Sequence, residues 1–171
     1  MTPSIEIRLT SVIHGLRDVV FPALDPQESL AQEQSGLILA QLEMLLKQLP
    51  YANSYHRLCL DDLKETAEAM LRKPAGGAET MEARSRLGQI LSERTNNPHH
   101  DYQHIGAGID VLVRAVARDG EAAYRARVDE AAFAFGKRQN WRERAWFRDA
   151  GFDPDPAGLP EIADMCGASE A

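Results

Sequence analysis

The stretch DPQESLAQEQSGLILAQLEMLLKQL, residues 25–49, decides the fold. On a wheel turning about 100° per residue, Leu30, Leu37, Ile38, Leu42, Leu45, Leu46 and Leu49 fall on one broad face, with Leu39 at its margin. That is the period of an α-helix. Asp25 can cap, Pro26 suits a first helical position, and Glu28 adds a capping-box-like signal, so a helix is expected from there to about Leu49. A face this wide predicts contact with at least two neighbours. Gln34 and Gln41 lie inside the stripe, seven residues apart, and are expected in a partly buried seam where each amide finds a hydrogen-bond partner.

Helical patterns extend in both directions. Upstream, Ile5, Leu9, Val12, Ile13, Leu16, Val19 and Val20 share a face, His14 lies opposite, and Pro22 is expected to end the helix. Downstream, a helix from Pro50 to before Pro74 places Ala52, His56, Cys59, Leu63, Ala67 and Met70 together. Pro74-Ala75-Gly76-Gly77 breaks it. A fourth helix over 79–94 buries Ala83, Leu87, Ile90 and Leu91. A fifth over 98–118, capped by Asn97, buries Ile105, Ile109, Leu112 and Val116. Its second strip, Ala107, Gly108, Val111 and Ala115, is small enough for a neighbouring backbone to approach. A sixth pattern runs over 121–150, and a stiff Pro-rich loop and a mobile acidic tail are expected beyond it. The reading is an all-α bundle of five to six helices, up-and-down or orthogonal, in a single domain over residues 1–171.

Composition narrows the function classes. The 171 residues are 44% hydrophobic and 26% charged, as in folded globular chains, and carry a net charge of −7, which does not favour a nucleic-acid partner. No apolar run approaches the roughly 20 residues that span a bilayer, so no membrane partner is expected. Met1 to Glu6 carries no signal-peptide pattern. The two cysteines, Cys59 and Cys166, form no Cys-x-x-Cys pair and are expected as reduced thiols in a cytoplasmic protein.

One place where chemistry could reside is His99-His100-Asp101-Tyr102-Gln103-His104. His100 and His104 are four apart and project to one side of a helix, a spacing with which two imidazoles can grip a divalent transition metal. Asp101 adds a carboxylate, and His56, on the apolar face of its helix, is a candidate third imidazole. The alternatives are a solvated polar helix start and, for His56, a core histidine bonded to Gln34 or Gln41. The segment His100-Asp101-x-x-His104-x-Gly106, with Tyr51-x-Asn53-Ser54-x-His56 upstream, resembles motifs of the HD-type metal-dependent phosphohydrolases. That resemblance implies His56, His100 and Asp101 as metal ligands and His104 beside a phosphate, while Ala52 stands where the family has an acid histidine. The His-x-x-x-His and Gly106 arrangement is also similar to that of DinB-like metal-binding bundles, whose further histidine has no counterpart in helix two here.

The other place is the end of the sixth pattern, Lys137-Arg138-Gln139-Asn140-Trp141-Arg142-Glu143-Arg144-Ala145-Trp146-Phe147-Arg148, with a local net charge of +4. Trp and Arg are favoured interface anchors, so Arg138, Trp141, Arg142, Arg144, Trp146 and Phe147 are read as a candidate interaction surface. The same residues could stack on bases, or pack within the chain. No phosphate-cradling glycine loop, Gly-x-Ser-x-Gly elbow or Cys–His pairing occurs. The expectation is therefore a non-enzymatic helical bundle acting through protein–protein contacts or self-association. The alternative is a metal-binding bundle or HD-like phosphohydrolase using His100, Asp101 and His104.

Overall fold

The computed structural model describes residues 2–93, 95 and 97–167. The chain is an all-α helical bundle, and among the described residues no strand forms beyond one isolated bridge, Gly76 to Gly120. Helix α1 spans Ile5–Gly15, α2 Ser29–Gln48, α3 Ala52–Met70, α4 Ala78–Ser92, α5 Pro98–Asp119, α6 Ala122–Trp146 and the short α7 Ile162–Met165. The contacts gather into two compact units, residues 1–52 with 143–171, and residues 53–142.

The second unit holds the larger core. Leu60, Leu63, Ala67 and Met70 of α3 meet Ala83 and Leu87 of α4, Ile105, Leu112, Ala115 and Val116 of α5, and Tyr124 and Val128 of α6. Fully burying an aliphatic side chain of this size stabilises by about 1.5–3 kcal/mol before entropy is subtracted. Helices α4 and α5 pack closely because Gly108 has no side chain: a Cβ there would sit 2.9 Å from Leu87 Cδ1 and 3.0 Å from Ile90 Cδ1. This is the close approach the small-residue strip foretold, although Ala107 and Val111 of that strip face solvent.

Two breaks in the sequence are joined by backbone. The Gly77 N–H donates to Asp119 O at 2.9 Å and the Glu121 N–H to Ala75 O at 2.9 Å. Asp119 then caps α4 from the far end of α5. Its carboxylate accepts from the Glu79 N–H at 2.9 Å, the Thr80 N–H at 3.0 Å and the Thr80 hydroxyl at 2.5 Å. The Thr80 hydroxyl bond comes first among the causes that hold the Asp119 carboxyl below its ordinary value. Tyr124 is fully buried, but its hydroxyl donates to Met70 O at 2.7 Å, so its polar end is satisfied. Burial pushes its phenol pKa up.

The first unit is thinner. Ser4 caps α1 by accepting from the Ile7 N–H. The helix ends at Ala23, one residue past Pro22, as the proline leads one to expect. A π-helical turn over Leu16–Val20 carries it to a last turn at Phe21–Ala23. Proline lacks an N–H and crowds the carbonyl four residues back, so the ladder does not continue beyond this last turn. Helix α2 starts at Ser29 rather than at Pro26, since Asp25 forms a turn: its side chain accepts from the Gln27 N–H and its carbonyl from the Glu28 N–H. The tail over the described residues 151–167 is ordered, with a 3-10 turn at Pro156–Gly158 and α7, and its Leu159 is buried. The rest of the tail expected to be mobile, 168–171, lies outside the described residues.

Candidate functional site

Four of the five histidines fall into two pairs. Asn97 caps α5 by accepting from the His99 and His100 N–H groups, and Pro98 occupies the first turn, as their order predicts. The helix then lays His100 and His104 side by side with ring centroids 5.3 Å apart. His56 is exposed and meets His99 instead, edge-on at 6.0 Å. Its place on the buried face of α3 is taken by Tyr55. His56 does fall on the apolar side of the wheel, but at the first turns of α3, before that side reaches the core. Asp101 accepts from the Thr95 hydroxyl at 2.6 Å, and its carboxylate stands 3.9 Å from His100 Nδ1. Asp101 and His104 line one cleft with Lys64, Glu68, Glu93 and Thr95, whereas His56 and His100 do not. Among the described residues no three His, Cys, Asp or Glu side chains converge as a metal ion would require. The four-residue set His56, His100, Asp101 and His104 is thus not assembled around one point.

The basic end of α6 is largely spoken for. Arg138 grips Asp62 of α3 in a fork, Nη2 to Oδ1 at 2.6 Å and Nε at 2.9 Å, and Arg142 Nη2 donates to the other oxygen of the same carboxylate. Arg142 is only 6% exposed, and its guanidinium also reaches Gln139 Oε1. Burial raises the Asp62 pKa, but the hydrogen bonds from Arg138 and Arg142 outweigh it and the carboxyl lies below its ordinary value. Further along, Arg144 forms a fork on Asp153 at 2.8 and 3.0 Å, and Arg148 pairs with Glu161. The Arg144 hydrogen bond, seconded by the Asp155 N–H, lowers Asp153 to about 2. Arg142 is therefore a buried structural cation and not part of an exposed surface, whereas Arg144 remains partly exposed beside Asp153. Trp146 is half-buried, and only Trp141 and Phe147 of that set present large exposed apolar area. Asp62 is remote in sequence from its two arginines, whereas Asp153 follows Arg144 by nine residues, across the turn that ends α6.

The largest uncovered feature lies on α1 and α2. Leu39, Leu42 and Leu46 of α2 are half-buried, as are Leu9 and Leu16 of α1. Ile13 of α1 is buried, and so are Met44 and Gln48 near the end of α2, where Gln48 donates to Trp146 O; the other positions of both stripes are open to solvent. On α1 these are Ile5, Val12, Val19 and Val20; on α2 they are Leu30 at 67%, Leu37 at 49%, Ile38 at 52% and Leu45 at 51% exposed. Gln34 and Gln41 stand among them, also exposed. On each wheel the open stripe lies to the same hand of the half-buried one, which in an antiparallel hairpin turns both to one side. The exposed area of these eight aliphatic side chains is on the order of 800 Å², above the ~300–600 Å² of the largest patch on a typical monomer. The sequence shows both stripes but not which positions of each stay open, since that depends on neighbours rather than on the period.

No protein-family model, curated protein sequence or solved structure matches this chain.

Proposed function

We propose that this chain is a non-enzymatic helical bundle that works through protein–protein contacts, and that the open face of α1 and α2 is its contact surface. The observation that carries this reading is the exposure of Ile5, Val12, Val19, Val20, Leu30, Leu37, Ile38 and Leu45 on one side of a two-helix hairpin. Two helices alone enclose little core, and the stable architectures made from such elements bury a second stripe against further helices. An area of ~800 Å² is also what one partner contributes to a standard interface.

In-cell photocrosslinking tests the reading. A photoreactive side chain at position 30, 38 or 45 is expected to give one adduct of defined mass common to all three sites, lost on Leu37→Glu. The same probe at Glu33, on the polar side of α2, is expected to give none. Absence of a common adduct at the three apolar sites refutes the contact surface.

A further inference from the structure

The open stripe of α2 reads the same in both directions. Leu30 and Leu45 are equidistant from the point between Leu37 and Ile38, and so are Gln34 and Gln41. The two central positions are themselves a matched aliphatic pair. Resting on the contact surface proposed above, we infer that its occupant is a second copy of this chain, with α2 of one copy lying antiparallel on α2 of the other about a two-fold axis between Leu37 and Ile38.

In that register Leu30 meets Leu45 of the other copy, Gln34 meets Gln41, and Leu37 meets Ile38, each contact occurring twice. This is an isologous interface, in which the same patch serves both partners. A parallel pairing sets every residue against itself and asks nothing of the order along the helix. Antiparallel pairing sets each residue against a different one, which must suit it, and here Leu faces Leu, Gln faces Gln and Leu faces Ile. The glutamines supply a second argument. Two exposed amides inside an apolar stripe are a liability against a purely apolar partner, because burial would leave them unpaired. Set against each other, each offers a carbonyl acceptor and an NH₂ donor, so the pair satisfies itself and fixes the register in the way a buried polar pair does in coiled coils. The flanking stripe of α1 lies on the same side, so two hairpins brought together this way make a four-helix arrangement.

The register can be read by disulfide formation. In full-length protein carrying Cys166→Ser, with Cys59 buried and left in place, chains bearing Gln34→Cys or Gln41→Cys are compared alone and mixed, with circular dichroism checking that each remains helical. The mixture is expected to give a cross-linked dimer at least ten times faster than either chain alone. A residue and its own symmetry copy are offset by seven residues, about 10 Å along the axis, beyond disulfide reach. Efficient crosslinking of Gln34→Cys with itself means parallel packing and overturns the proposal. Light scattering is expected to show a dimer at about 100 μM, with Leu37→Glu/Ile38→Glu raising its dissociation constant about 100-fold or more. A monomer overturns the self-pairing. If the in-cell adduct at positions 30, 38 and 45 is nevertheless present, the contact surface stands with another occupant, and if it is absent both readings fall.

Discussion

At the scale of single residues, carboxylates decide where the arginines go. Asp62 holds two guanidinium groups at once, one of them nearly sealed from water, and removing it strands Arg142 in a poorly solvated site. Asp62→Ala is expected to cost about 3 kcal/mol by urea unfolding, since breaking a buried pair leaves an uncompensated charge. Arg138→Ala is expected to cost about 1 kcal/mol or less, because that side chain is half exposed. The pH dependence follows from the direction of the shifts. Asp62 and Asp153 have folded pKa values below the ordinary 3.8, so their contribution to stability is complete above that value and is lost as pH falls through the depressed one. For Asp153 the window lies between 3.8 and about 2. Melting temperature measured from neutral pH down to pH 2 should therefore fall steeply at its acid end, and Asp153→Asn should flatten part of that fall. A profile unchanged by Asp153→Asn would mean the Arg144 fork contributes nothing measurable.

At the scale of elements, the end of α5 leaves no room for a side chain against its own last turn. A Cβ on Gly120 would lie 2.6 Å from Val116 O and 3.0 Å from Val116 Cα, backbone atoms of the last turn of α5 that cannot step aside. Gly120→Ala is expected to destabilise by about 1–3 kcal/mol, as overpacking does. Gly108→Ala is the control, because its Cβ would meet only the ends of the Leu87 and Ile90 side chains, and the gain in helix propensity of up to about 1 kcal/mol offsets the crowding. The pair separates close backbone packing from mere smallness. Chemical denaturation of both variants decides it, and equal losses would contradict the geometry. In α1 the helix ends within a residue of Pro22, as the missing N–H requires, and what the residue order did not announce is the π-helical turn over Leu16–Val20 just before it.

At the scale of the whole molecule, the pairing proposed for the face of eight exposed aliphatic side chains would make stability depend on concentration. Association with a second copy stabilises the folded state by mass action, so the melting temperature should rise with protein concentration between about 1 and 100 μM and should cease to do so in Leu37→Glu/Ile38→Glu. Added salt should change this little, because the seam is aliphatic with neutral amides and has few charges to screen. A melting temperature independent of concentration in the unaltered chain would count against association.

Much of this was legible in the order of residues alone. The all-α class, the breaks at Pro74–Gly77 and Asp119–Gly120 and the Asn97 cap follow from local rules, because periodicity, proline, glycine and capping act within a few residues. So does the broad face of α2, whose demand for a second neighbour can be read from its width. What lay beyond the sequence is partner choice. That Asp62 would claim Arg138 and Arg142, and that His56 would meet His99, depend on distances between segments far apart along the chain. The same holds for which half of the α2 face stayed open. A helical period states how much apolar surface a helix must cover, whereas only tertiary packing determines what covers it, since burial is a property of neighbours rather than of the segment itself.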